Sequence, residues 1–366
     1  MNGSRKALLF TIVASSVVTA VLVICVAFLT NYSDPYHKKV SAAGFVEKTA
    51  DIGGISIHYA EGPDNGPALL LLHAQHMDWY SYSRVLPELS ESFHVYALDY
   101  HGHGETAAPA EYMNANRIGG DLAAFIDTVI GEPVFVSGNS SGGLLAAWLG
   151  ANALDLVKAA VLEDPPLFSS AYPRVKETIA YRSFTHCHTF LQFEDSDDFS
   201  FVYYWLEQSS AFIQRYAGGN YAPFLMRTAW MYKNSNPDKA IELFFLPVPM
   251  RLMVRGMSEY DPAFGDAFYD GSWHRDFDHG ETLERILCPV LLIQAEYEVR
   301  EDGILDGAMD QGDAERALAL IPHAQYVKTD AGHVTHLDQP EAFTQRITEF
   351  FLGSETSIGG ERLPSE

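Results

Sequence analysis

Cysteine is scarce: the chain has three in 366 residues. Cys25 lies in an apolar N-terminal run, and Cys187 and Cys288 are far apart with nothing marking them as a pair. No disulfide framework is expected, and the latter two read as buried thiols. No CxxC or HExxH occurs. The tight histidine clusters, His101-Gly102-His103 and His186-Cys187-His188, lack a third placed ligand and are weak metal candidates. Positive charge is also short, with Lys+Arg 24 against Asp+Glu 48 and a formal net charge of −24. Such a surface repels phosphates, so no nucleic acid is expected as a partner and anionic substrates are disfavoured. Disorder is excluded by a 47% hydrophobic and 20% charged composition. No internal repeat is evident.

What is present begins with a charge-free run. Residues 7–30 read ALLFTIVASSVVTAVLVICVAFLT, preceded by Arg5-Lys6 and followed by the polar stretch 31–39. As a helix at ~1.5 Å per residue the run is about 36 Å long, against a bilayer core of about 30 Å. It predicts an uncleaved transmembrane anchor with a short cytoplasmic tail at 1–6, a linker over 31–44 and the rest of the chain outside the cytoplasm. The alternative is a cleaved signal peptide with a small-x-small site at Cys25-Val26-Ala27 and a secreted product.

Beyond the linker, strand and helix patterns alternate. Residues 54–59 alternate in polarity like a half-buried strand, and Ala68–Leu72 (ALLLL) is an apolar run suited to burial on both faces. Helical spacing at 79–89, a strand at 93–98, an amphipathic helix at 117–130, a strand at 133–136, a helix opening at 144–149 and a strand at 157–162 follow. The rhythm resumes with a strand at 290–294, a helix at 314–320, a strand at 324–328 and a closing helix at 340–351. This predicts an α/β fold whose mostly parallel sheet is covered by helices on both faces, built from 45–165 and 283–352. Residues 166–282 are rich in Phe, Tyr, Trp and Met without that rhythm and read as an inserted helical cap. The polar residues 353–366 read as a disordered tail.

Gly138-Asn139-Ser140-Ser141-Gly142 stands between the strand at 133–136 and the helix opening near Leu144. A tight strand-to-helix turn lifts the central hydroxyl above the sheet, and flanking glycines let the chains pass. Ser140 is centred between them, so it is the expected nucleophile rather than Ser141. A serine hydroxyl needs a base. His333, in Asp330-Ala331-Gly332-His333, follows the last strand at the carboxyl edge where sites form, and His336 is its nearest competitor. A carboxylate must orient the imidazole. Glu298 follows the strand at 290–294 and Asp164 the strand at 157–162; the residues leave both open, with Glu163 and Glu296 as adjacent outsiders. Leu72-His73-Ala74-Gln75 ends a strand, so the backbone N–H groups of Gln75 and Ser141 are the expected oxyanion donors.

In this order the pieces resemble the α/β-hydrolase superfamily. His73-Ala74 looks like its His-Gly, Asp99-Tyr100-His101-Gly102-His103-Gly104 like its D-x-x-G-x-G turn, and Gly332-His333 with Gln339-Pro340-Glu341 like its terminal histidine block. Ala74 replaces a glycine, and Ala295-Glu296-Tyr297-Glu298 stands where the family shows G-x-x-D. Asp164 matches the acid position of relatives such as haloalkane dehalogenases. Dehalogenases and epoxide hydrolases of the superfamily use an aspartate nucleophile, so Ser140 argues against those activities. The resemblance implies an α/β-hydrolase fold and an esterase-like serine hydrolase that needs no metal or organic cofactor. Its expected partners are a small or medium apolar acyl substrate and, through the N-terminal helix, a membrane. The alternatives are lactone, amide or carbon–carbon cleavage, perhydrolysis, or a membrane-tethered binding protein without catalysis.

Overall fold

The computed structural model describes residues 3–193, 200–209 and 221–359. Ten strands and the helices between them are assigned in that range: β1 Val46–Ile52, β2 Ile55–Glu61, β3 Ala68–Leu72, β4 His94–Leu98, β5 Val134–Asn139, β6 Val157–Glu163, β7 Val290–Gln294, β8 Glu298–Val299, β9 Leu305–Asp306 and β10 Ala324–Lys328. Eight form one sheet in the order β1-β2-β4-β3-β5-β6-β7-β10. From β4 to β10 every neighbour is parallel, and β2 runs antiparallel to both of its neighbours.

The central strands are buried end to end, as their unbroken apolar runs require. Alternate residues supply the two layers. Leu70 and Leu72 pack with helices α4 (Ala115–Phe125) and α5 (Ser141–Asn152). Leu69 and Leu71 face α3 (Leu86–Leu89) and the closing helix α14 (Pro340–Gly359). Because β3, β5, β6 and β10 are parallel, the turns leaving their carboxyl ends share one rim.

Between β6 and β7 the described residues carry no strand of this sheet. They form helices α6 (Ala180–Phe190), α7 (Phe201–Gln208), α8 (Ala222–Ser235), α9 (Val248–Met257), α10 (Pro262–Asp270) and α11 (His279–Glu284). Phe184, Phe264, Phe268 and Trp273 are buried there in the same apolar cluster as one sheet face.

Several expectations are corrected. β1 was not expected; its sequence VEKTADI is mostly exposed, as suits a charged edge strand, and carries little apolar signal. The stretch 79–89 is a 3₁₀ segment at Trp79–Arg84 followed by the short α3, because Pro87 supplies no N–H to a continuous helix. The linker contains helix α2 (Tyr36–Ala42). Helix α14 continues through the expected disordered tail to Gly359, with the Ser354 hydroxyl bonded to the Phe351 carbonyl; residues 360–366 lie outside the described residues. Cys187 is a buried free thiol, but Cys288 is only partly buried.

The N-terminal run forms helix α1 (Gly3–Thr30). Among the described residues no helix is long and apolar enough to cross a membrane. Thr11, Ser15, Ser16 and Thr19 place hydroxyls among the apolar residues of α1. The expected transmembrane anchor therefore finds no support in the structure. The chain after α1 is fastened to the inserted helices: Asn236 Nδ2 donates to the Thr30 carbonyl (2.7 Å), Tyr232 Oη to the Tyr32 carbonyl (3.0 Å), and Asp34 pairs with Arg251 at 2.7 Å.

Candidate active site

Ser140 joins β5 to α5 at φ 56°, ψ −120°, a left-handed conformation for a residue with a side chain. Such strain persists only where the surroundings enforce it. Here a Cβ on Gly138 would collide with the Gly142 backbone, and one on Gly142 with the carbonyls of Leu72 and His73. The sharp turn is thus packed against the end of β3, and Ser140 N donates to the Glu163 carbonyl of β6 at 2.9 Å. The rival hydroxyl, Ser141 Oγ, is buried and shares a hydrogen bond with Tyr100 Oη at 2.9 Å.

Asp164 follows β6 in a left-handed conformation, φ 44°. Its Oδ1 accepts from the Ala295 backbone N–H (3.1 Å), and its Oδ2 lies 2.7 Å from His333 Nδ1. Asp164 is buried, while the His333 side chain is 41% exposed and lines a cavity shared with Ser140. Burial of the ring pulls the His333 pKa down, but the hydrogen bond and charge of Asp164, with Glu163 behind it, outweigh this and raise it above the ordinary 6.5. Glu298 is not brought to this point. It is exposed in β8, opposite Asp306 of β9, and Glu296 is exposed as well.

Gln75 and Ser141 both line the cavity. Ser141 is the first residue of α5, so its N–H is among those that no helical carbonyl satisfies. The Gln75 side chain is held by the inserted segment, with Nε2 donating to Tyr260 Oη at 2.6 Å. Helix α9 presses on the same turn: a Cβ on Gly256 would collide with His76 and Met77 backbone atoms.

A second layer escaped the sequence analysis. Glu163 accepts from the His336 backbone N–H (2.9 Å) and lies 2.8 Å from His336 Nδ1, with both side chains fully buried. Asn139 Nδ2 donates to the carbonyls of Glu163 (3.1 Å) and His333 (2.9 Å). Each is a near neighbour in sequence of Ser140, Asp164 or His333. The available signal was the adjacency of Glu163 to Asp164 and the spacing of His336 from His333.

The histidine clusters have other partners. His101 Nε2 pairs with Asp121 at 2.8 Å and His188 Nδ1 with Asp266 at 2.7 Å. Glu47, His58 and Glu105 bring ligand atoms within 4.8 Å of one another. Burial lowers the His58 pKa, yet hydrogen bonds to Asp99 and Glu47 push it up to about 10. Both His58 ring nitrogens face carboxylates, Nδ1 at 2.8 Å from Asp99 Oδ2 and Nε2 at 3.4 Å from Glu47 Oε2, the geometry of a donor to both.

The cavity measures about 1040 Å³. The sheet rim contributes Ser140, His333 and Gln75, and the inserted helices contribute apolar walls including Phe184, Leu225, Phe245 and Met253. Among the described residues the lining acid is Asp306, which is ion-paired with Arg300.

A family model described as the alpha/beta hydrolase family matches residues 69–346. Over 166 residues the chain is 29% identical to the dihydrolipoyllysine-residue acetyltransferase component of the acetoin cleaving system of Cupriavidus necator, covering 45% of this chain and 44% of that protein. Over 115 residues it is 30% identical to the soluble epoxide hydrolase of a Corynebacterium species, covering 31% and 40%. The chain thus spans less than half the length of these relatives. Among solved structures, a membrane phospholipase A described as a bacterial virulence factor aligns with a TM-score of 0.60 at 21% identity, over 96% of this chain and 99% of that one. At that identity the likeness concerns the fold alone.

Proposed function

The chain belongs to the alpha/beta hydrolase family, and on that premise we propose that it is a serine hydrolase cleaving an apolar carboxylic ester or related acyl bond. Ser140 is the nucleophile, His333 the base and Asp164 the orienting acid. The observation that carries the reading is the 2.7 Å contact between His333 Nδ1 and Asp164 at the cavity that Ser140 enters on a strained turn. With Nδ1–H donated to the carboxylate, the Nε2 lone pair is left to receive the serine proton. The Ser140 Oγ–carbon bond then forms, and the negative oxygen is met by the backbone N–H groups of Gln75 and Ser141. His333 returns the proton to the departing alcohol. A water attacks the acyl-enzyme by the same route, releasing the acid and freeing Ser140. Asp164 takes the part that the sequence divided with Glu298.

The epoxide hydrolase among the relatives suggests a different activity. Ser140 in place of an aspartate nucleophile argues against it, and turnover of an epoxide would count against the proposal. The proposed location, the outer face of a cell membrane, rests on sequence 7–30 alone and is tested by fractionating cells that express the whole chain. The activity is tested with a fluorophosphonate probe and a panel of p-nitrophenyl esters. Labelling and ester turnover that both vanish in Ser140→Ala are expected. Equal turnover by that variant refutes the mechanism.

A further inference from the structure

The cavity wall leads outward along one lip, and that lip meets α1. Tyr221 and Phe224 of the α8 region, with Pro247 and Pro249 at the start of α9, line the cavity and are also exposed. Phe224 is 51% exposed, so the apolar lining continues to the outer surface. A ladder of rings extends it. Phe224 lies 5.4 Å from Phe245, Phe245 lies 5.4 Å from Phe244, and Phe244 meets Phe28 of α1 edge-on at 4.7 Å. Trp230, further along α8, is 58% exposed on the outer side. From the interior of the catalytic cavity to the N-terminal helix, a chain of aromatic ring contacts is therefore continuous along this path.

Among the described residues, the side chains of helix α1 on the N-terminal side of Phe28 lie open. Every described side chain from Phe10 to Phe28 is exposed, and none is charged. Contiguous apolar surface of this extent marks an interaction site. A partner protein's groove would cover one stripe and leave the opposite face polar. Here Phe10, Ile12, Val13, Val17, Val18, Val23, Ile24 and Val26 are all exposed, with Thr11, Ser15, Ser16 and Thr19 between them, and their spread round the helix is wider than the single stripe a groove would need. Exposed Trp and Tyr beside it fit the boundary between water and lipid.

We infer that the substrate's acyl part is a long aliphatic chain drawn from a neutral or zwitterionic lipid surface, across the Tyr221–Phe224 lip and into the cavity. This rests on the serine-hydrolase reading and names its substrate class. The volume of about 1040 Å³ stands at the upper end of the ~300–1000 Å³ of pockets for drug-sized ligands, larger than the small or medium substrate first expected. The formal charge of −24 disfavours an anionic surface. In water a long-chain ester is aggregated, so a short apolar path from lipid to Ser140 avoids exposing the chain.

The test uses the whole chain with p-nitrophenyl esters from acetate to dodecanoate, and flotation with phosphatidylcholine vesicles. The expected results are kcat/KM rising about threefold or more per added methylene, and co-flotation with the vesicles. The double variant Val17→Asp/Ile24→Asp should lose flotation at an unchanged melting temperature. Ser140-dependent turnover that peaks at acetate or butyrate, or wild-type chain that stays off the vesicles, overturns this inference and leaves the hydrolase reading standing. Absence of any Ser140-dependent ester turnover overturns both.

Discussion

Two imidazole–carboxylate pairs stand side by side at the end of β6, made by consecutive acids and by histidines three residues apart. His333 pairs with Asp164 at 2.7 Å, and His336 with Glu163 at 2.8 Å. The chemistry of the two contacts is the same. Their surroundings are not: His333 is 41% exposed toward the cavity, whereas His336 and Glu163 have no exposure. One imidazole has a free nitrogen where a substrate can reach it. The other is enclosed by Tyr82, stacked 4.2 Å away, and by Phe343. What separates a proton carrier from a structural rivet here is access.

The sharpest break of the comparison removes each histidine. His333→Ala should lower kcat by about 10⁴-fold or more with the protein intact. His336→Ala should instead strip a buried carboxylate of its partner, costing about 3–5 kcal/mol of stability, read as a fall in melting temperature, with the folded fraction losing far less kcat than His333→Ala. Removing the acids comes next. Asp164→Asn should also cost about 10⁴-fold in kcat, while Glu298→Gln should change kcat less than about twofold, being exposed. Equal losses from the two would undo the assignment of the acid.

A smaller effect tests whether the enclosed pair positions the open one. Glu163→Gln keeps acceptor capacity but removes the charge. It should lower kcat by about 10- to 100-fold, the scale of an ångström's misplacement, with KM unchanged. It should also move the acid limb of the pH profile. In the proposed mechanism His333 acts as the neutral base, so kcat/KM should rise with pH through its pKa. That pKa is raised in the native enzyme, so the midpoint should lie above about 6.5. Glu163→Gln should lower it, and Asp164→Asn, which removes the larger raising partner, should lower the residual activity's midpoint further. An unmoved profile would assign Glu163 to packing alone.

The smallest expected effect comes from a third pair whose residues do not line the cavity. His58, raised to about 10 by Asp99 and Glu47, favours folding as a cation. Its contribution is complete below the unfolded pKa of about 6.5 and is lost as pH rises toward 10. His58→Gln should flatten the fall in melting temperature between pH 6 and pH 10 without altering the kcat profile at the site.

The sequence was most legible where geometry is local. The turn 138–142 is bounded by a strand and a helix, and its glycines are dictated by chains a few residues away, so Ser140 could be singled out. The runs 68–72, 290–294 and 324–328 are strands at the expected bounds, because the first is wholly apolar, the second is apolar up to Gln294, and the third sits between clear turn signals. The acid was not legible. Asp164 and Glu298 both follow strands at the same rim, and only the left-handed backbone at Asp164 and the outward β8–β9 ribbon distinguish them. The Glu163–His336 pair was hidden for the same reason. Both residues had been weighed as alternatives to their neighbours, and nothing in a linear chain says that the two alternatives meet each other. The edge strand β1 gave too little apolar alternation to read.

Helix α9 touches the turn after β3 so closely that residue 256 has no room for a side chain. A graft that exchanges the inserted helices for those of a relative would therefore have to carry the 73–77 turn along with them. Two halves chosen independently, each sound alone, would meet with mismatched backbones at the spot where the reaction's charge gathers. The lid and the floor of this chamber are one inherited part.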